Sequence, residues 1–217
     1  MTPSERMLRE IAAEAEATAS WTGRARLAPR VLAALAAVRR EAFMPDALAA
    51  HAYENRPQPI GCGQTISQPF IVALMTDLLD PAPEDAVLEI GTGSGYQAAV
   101  LARLVSTVYS VERIEELLRQ ARRRFRALKL DNIRTRHDDG MLGWSAEAPY
   151  DAIIITAAGE LPPAELLVQL APGGIVLGPF GPPSEQRLLR FRADAGGHLQ
   201  REDLGAVSFV PLLSGTR

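Results

Sequence analysis

Between Pro69 and Phe180 the chain alternates short apolar runs with helical stretches, and this alternation restricts the fold more than any other feature. A helix FIVALMTDLL is followed by the run AVLEI, a glycine loop, a helix QAAVLARL, the run TVYSVE and a helix from Ile114 to Leu130. Then come NIRTRH, YDAIIIT, a helix over 162–170 and GGIVLGPF. Strands are apolar along their whole length when both faces of a sheet are covered, so the pattern implies a parallel sheet between helices. The expected class is α/β, doubly wound and mostly parallel.

The flanks read differently. Met7, Leu8, Ile11 and Ala15 lie near helical spacing within an Ala- and Glu-rich segment, Ser4 to Ala19, and Pro29 opens a second helix, RVLAALAAVRR. Arg39 and Arg40 would complement the negative end of that helix's dipole. At the other end, QRLLRFRA and HLQREDL flank Gly196-Gly197 like an antiparallel hairpin, and AVSFVPL reads as one more strand. We expect one domain over 1–217: helices and a loop over 1–68, an α/β core over 69–180, and a C-terminal hairpin and strand over 181–217.

With 217 residues, 47% of them hydrophobic, the chain can bury a sizeable core. A net charge of −3 gives no general attraction for nucleic acid. The single cysteine, Cys62, excludes an internal disulfide and a multi-cysteine zinc site, so no metal is expected and a reducing compartment suits the chain. No apolar run reaches the ~18 residues of a membrane span, and Met1 to Ser20 does not read as a secretory signal. A cytoplasmic protein is expected, with monomer as the default.

VLEIGTGSGYQ sets Gly91, Gly93 and Gly95 between a strand and a helix, where glycines allow a tight turn and close approach of a ligand to the backbone. A nucleotide-like cofactor follows. The spacing is G-x-G-x-G, with Glu89 just before it, and so differs from the G-x-G-x-x-G of dinucleotide folds. The helix start beyond could hold a pyrophosphate or a carboxylate such as that of a methionine moiety. Glu112 ends the next strand 21 positions after Gly91 (112 minus 91), the interval at which an acid accepts from ribose hydroxyls. Asp139, beside Asp138 in RHDDG, falls at the same carboxyl edge, where it could accept from an adenine amine.

From Phe43 to Gln68 periodicity gives way to prolines and glycines, a loop long enough to suggest function. It closes in GQTISQP, Gly63 to Pro69. Ser67, two residues before Pro69, could cap the following helix, or its hydroxyl could face a substrate. Cys62 and the basic run ARRRFRALK have ordinary structural readings, and His137 could either touch the bound nucleotide or be a strand-end histidine without function.

GQTISQP, VLEIGTGSGYQAAVLARL, VERIEEL, APYDAIIITAA and LAPGGIVLGPFG, in this order and spacing, resemble the protein L-isoaspartyl O-methyltransferase family, from Phe43-Met44-Pro45 to the terminal FVPL. The resemblance implies a Rossmann-like S-adenosylmethionine methyltransferase sheet. The implied reaction is methyl transfer from S-adenosylmethionine to the free α-carboxylate of L-isoaspartyl residues in damaged proteins and peptides; the ester collapses to a succinimide, which hydrolysis returns in part to aspartyl. It also implies Ser67 as the active-site serine, with Thr65, Ile66 and Gln68 beside it. Glu89, Gly91, Thr92, Gly93 and Gly95 form the methionine loop, Glu112 is the ribose acid, and Asp139 and Gly140 belong to the adenine loop. Thr156 and Ala157 lie near the substrate. Asp138 stands where the family has glycine, Asn55 where it commonly has aspartate and Gln58 where it has leucine.

The chemistry suits so sparse a set of polar residues. A substrate carboxylate of ordinary pKa near 3.9 is already ionised at neutral pH, so the step needs placement rather than a general base. Two other functions predict different behaviour: methylation of another nucleophile on the same fold gives no ester on isoaspartyl peptides, and a binding module gives cofactor binding without transfer.

Overall fold

The computed structural model describes residues 1–194 and 198–217. Met7, Ile11 and Ala15, each four residues after the last, form the fully buried stripe of α1 (Pro3–Ala17). Thr2 caps it reciprocally, its hydroxyl accepting from the Glu5 N–H at 3.2 Å while the Glu5 carboxylate accepts from the Thr2 N–H at 2.7 Å. A single turn, α2 (Ala19–Thr22), stops at Gly23 in the left-handed region, and α3 (Pro29–Ala37) follows. Helices α1 and α3 pack on α4 (Pro69–Leu79), in which ten of the eleven residues are buried.

The main sheet is built from β3 (Ala86–Ile90), β4 (Thr107–Glu112), β5 (Ile133–His137), β6 (Tyr150–Ile155), β7 (Leu170–Phe180), β8 (Arg187–Ala193) and β9 (Leu199–Ala206). A two-stranded hairpin, β1 (Gln58–Gly61) with β2 (Gln64–Ile66), precedes them. The order in the main sheet is β5-β4-β3-β6-β7-β8-β9; the first five strands run parallel and the last two antiparallel. Helices α5 (Tyr96–Leu101) and α6 (Glu115–Ala127) connect β3 to β4 and β4 to β5, and the short α7 (Ala164–Leu167) precedes β7. One face of the sheet is covered by α1, α3, α4, α5 and α6; the other by Tyr150, Leu166, Phe180 and Phe191 with Trp144 against them. Because the chain steps from β3 to β4 to β5 and then returns to place β6 on the other side of β3, the order in which strands are added reverses between β3 and β6. A crevice opens at the carboxyl ends of strands at such a point.

Several local expectations are corrected. Arg40 does not serve a helix dipole: α3 stops at Ala37, and Arg40 is fully buried one turn later in a 3₁₀ segment. The 43–68 loop contains a second 3₁₀ segment over 46–51 and the β1–β2 hairpin, whose turn Gly61-Cys62-Gly63 has positive φ throughout. The helix expected over 162–170 is one turn, Ala164–Leu167, because β7 already begins at Leu170. AVSFVPL adds no strand beyond the Ala206 that ends β9. Its backbone is engaged elsewhere, the Phe209 N–H donating to Gln186 Oε1 at 2.6 Å and the Ala158 N–H to the Val210 carbonyl at 2.8 Å. The Gly196-Gly197 turn lies outside the described residues, although β8 and β9 pair antiparallel on either side of it.

Candidate active site

The register pairs Ile90 with Ile155, so the next residues, Gly91 and Thr156, stand side by side at the crevice. Thr156 donates its hydroxyl to the Gly91 carbonyl at 2.8 Å and to the Ile90 carbonyl at 2.9 Å, closing the strand ends together. Gly91 has φ +99°, and a Cβ on it would stand 2.5 Å from Thr156 Oγ1. Only glycine fits. Gly95 starts α5 at φ +90°, where a Cβ would meet the Phe125 ring at 2.7 Å, so the loop-to-helix junction is packed directly on α6.

Glu112, at the end of β4, braces this loop from the side. One carboxylate oxygen accepts from the Gly93 N–H at 2.8 Å and the other from the Ile114 N–H at 2.9 Å. Each oxygen has two lone pairs, so both retain capacity for a pair of ligand hydroxyls. Gly91, Thr92, Gly93, Glu112, Gly140, Thr156 and Ala157 share one cleft with Thr65, Ile66 and Ser67. The cleft encloses about 860 Å³ of non-atom space, the open solvent at its mouth included.

Not every expected residue reaches that wall. Glu89 is fully buried behind the loop, Oε2 accepting from the Ser110 hydroxyl and Oε1 lacking a partner. Burial pushes its carboxyl up to about 8; the Ser110 hydrogen bond opposes the rise and the negative charge of Glu112 adds to it. Ser110 in turn shares a 2.6 Å hydrogen bond with Thr92, which does line the cleft. Asp139 is turned away. Its oxygens accept from the Met141 N–H at 2.8 Å and the Gly215 N–H at 2.6 Å, tying the loop after β5 to the 213–217 segment. That segment also bonds the loop after β4, through Arg217 N–H to the Arg113 carbonyl at 2.7 Å and Arg113 Nε to the Gly215 carbonyl at 3.0 Å. Asp138 pairs with Arg136 at 2.6 Å.

The substrate loop is held by residues whose roles local sequence does not signal. Arg40 donates to the Ser67 carbonyl at 2.9 Å and the Ala52 carbonyl at 2.8 Å, with its guanidinium 4.9 Å from the centre of the Tyr96 ring. Burial lowers its pKa to about 10, partly restored by Tyr96, and the arginine stays charged at neutral pH. Asn55 accepts from the Phe70 N–H at 2.9 Å, so the N-terminus of α4 is capped by Asn55 and not by Ser67. Asn55 also donates to Glu14 at 2.7 Å, as does Gln68 at 2.9 Å, fastening α1 to the loop. Among the described residues, the Ser67 hydroxyl has no hydrogen-bond partner. Ser67, Thr65, Thr156 and Val210 line a second groove as well as the cleft, and Gln68 faces this groove alone.

A parallel sheet whose strand order reverses beside a G-x-G-x-G turn, with an acid at the end of the next strand and antiparallel strands closing the far edge, defines a Rossmann-like methyltransferase. The residues fit an adenosyl methyl donor: a loop that only glycine can form, and an acid with free lone pairs. Comparisons with known proteins narrow the class. The chain belongs to the protein-L-isoaspartate(D-aspartate) O-methyltransferase family, whose model matches residues 21–217. It is 50% identical to protein-L-isoaspartate O-methyltransferase 2 of Syntrophobacter fumaroxidans over 97% of this chain and 85% of the relative. A solved protein-L-isoaspartate O-methyltransferase superposes with a TM-score of 0.80 at 25% identity, over 96% of this chain and 65% of the other. A Plasmodium falciparum structure assigned to the same activity, in complex with S-adenosyl-L-homocysteine, superposes with a TM-score of 0.81 at 21% identity, over 98% and 99% of the two chains. Among the described residues, no helix is long and apolar enough to cross a membrane.

Proposed function

We propose that the chain methylates the free α-carboxylate of L-isoaspartyl residues in damaged proteins and peptides, and so starts their return to aspartyl through a succinimide. The observation that carries this reading is the position of Ser67, whose hydroxyl has no hydrogen-bond partner among the described residues and whose residue lines both the cleft and the groove. When bound, S-adenosylmethionine supplies an activated methyl group. Gly91, Thr92 and Gly93 would cradle its methionine end and Glu112 would accept from the ribose, with Gly140 closing the adenine end. Glu89, Gly95 and Asp139 act from behind, holding the loop, its helix and the 213–217 segment in place.

The remaining work is placement. Ser67 donates one hydrogen bond to the substrate carboxylate and fixes one oxygen without neutralising it, while Arg40 holds the Ser67 backbone still. Thr65, Ile66, Thr156 and Ala157 wall the junction and exclude water, and Gln68 braces the loop. The substrate carboxylate is already ionised, so it would take the methyl group as the donor's carbon–sulfur bond breaks and S-adenosylhomocysteine leaves with that bond's electron pair, and no proton need move. We take the chain to act as one unit, a cytoplasmic monomer that needs neither nucleic acid nor metal, as its charge and single cysteine suggest.

Labelled methyl incorporation into peptides differing only in isoaspartyl or aspartyl linkage tests the function: labelling should be confined to the isoaspartyl member as a base-labile ester. Equal labelling would overturn it. Ser67→Ala should lower turnover at least about tenfold, the order of one charge-assisted hydrogen bond, with unchanged melting temperature and donor affinity.

A further inference from the structure

The groove beside the cleft is lined by Glu14 and Thr18 of the first helical segment, Trp21 of α2, Phe70 and Ile71 of α4, and the 204–210 segment. Glu14 is the one ionisable side chain on its wall among the described residues. The carboxylate accepts hydrogen bonds from Asn55 and Gln68, both neutral amides, which aim it without compensating its charge. Trp21 stands at the rim. Its base rests on Gly205, where a Cβ would meet Trp21 Cβ at 3.4 Å, and 63% of the residue is exposed. The groove meets the cleft at Ser67, and Gln68, next in the chain, touches Glu14. The family model begins at residue 21, so the helix bearing Glu14 lies outside the matched segment.

We propose that this groove is a subsite for a residue flanking the isoaspartyl position, selecting a basic side chain through the Glu14 carboxylate and the Trp21 indole face. The inference rests on the proposed function. A peptide whose isoaspartyl carboxylate is held at Ser67 advances ~3.3 Å per residue, so the side chain entering the groove belongs to a neighbour one or two positions away. A lysine or arginine there gains an ion pair with Glu14 and cation–π contact with the exposed indole; a glutamate meets a like charge.

The test is kcat/KM on isoaspartyl peptides carrying Lys, Ala or Glu at each of the two positions on either side. Lys should exceed Glu by about tenfold at one position, and added salt should narrow the gap. Glu14→Gln should bring that ratio within about twofold, the ratio between peptides being insensitive to how much enzyme is folded. Trp21→Ala should lower the Lys-to-Ala ratio about threefold. The proposal is overturned by equal rates on Lys and Glu peptides, or by a ratio that survives Glu14→Gln. Should that variant fail to fold, a ratio unmoved by salt and by Trp21→Ala overturns it equally. Methylation of isoaspartyl peptides with no flank dependence sinks the subsite alone; failure to methylate any of them sinks the proposed function as well.

Discussion

The two halves of the site are built by different means. In the 69–180 core, each residue at the donor cleft is placed by its own strand or turn: Gly91 follows β3, Glu112 ends β4 and Thr156 follows β6, so sheet register alone brings them together. In the 1–68 region, β2 ends at Ile66, and the loop after it is held by side chains reaching from far along the chain, Arg40 across 27 positions and Glu14 across 54. A site built on register tolerates surface change but not backbone change. One built on side-chain hydrogen bonds is vulnerable at single polar residues.

The sharpest break on the register side is Gly91→Ala. With φ at +99° and Thr156 Oγ1 only 2.5 Å from the new Cβ, the turn must shift. Donor-analogue affinity measured by calorimetry should fall at least about a hundredfold, and unchanged affinity would show that the loop is not the cradle. On the polar side, Arg40→Met keeps volume but strands the carbonyls of Ala52 and Ser67. It should cost about 3 kcal/mol in denaturant unfolding, turnover falling more than donor affinity; equal falls in both would erase the distinction between the two halves.

The third effect concerns Glu89 and is spread across pH. Its carboxyl titrates near 8 when folded against an ordinary 4.5, so between those values the folded chain holds a proton that the unfolded chain lacks. The stability from that proton is complete below about pH 4.5 and lost as pH rises through 8. Glu89→Gln should therefore gain on the parent protein by up to about 1.4 kcal/mol per pH unit as pH rises across this window. Parallel stability curves from pH 5 to 9 would contradict the buried, protonated state.

Legibility in the sequence follows the same division. The parallel strands, the glycine turn and the 21-residue step to Glu112 are local patterns, and the structure has them where the pattern put them. Arg40 looked like a helix-ending charge because nothing within a few residues indicates that its partners are carbonyls 12 and 27 positions away. Asn55 looked like a mere departure from the family pattern. It is an amide that both caps α4 and donates to Glu14, and an aspartate could perform only the first of those tasks. The cap once open to Ser67 is taken by Asn55. Asp139 was expected at the adenine; its bond to Gly215 spans 76 positions, beyond any spacing rule.

That long reach has a consequence for synthesis. Arg113 is joined to Gly215 across 102 positions. On a ribosome adding ~5–20 residues per second, the loop after β4 would therefore emerge roughly 5–20 seconds before the segment that braces it. A nascent chain thus displays the glycine turn well before the 213–217 segment can brace the loop after β4.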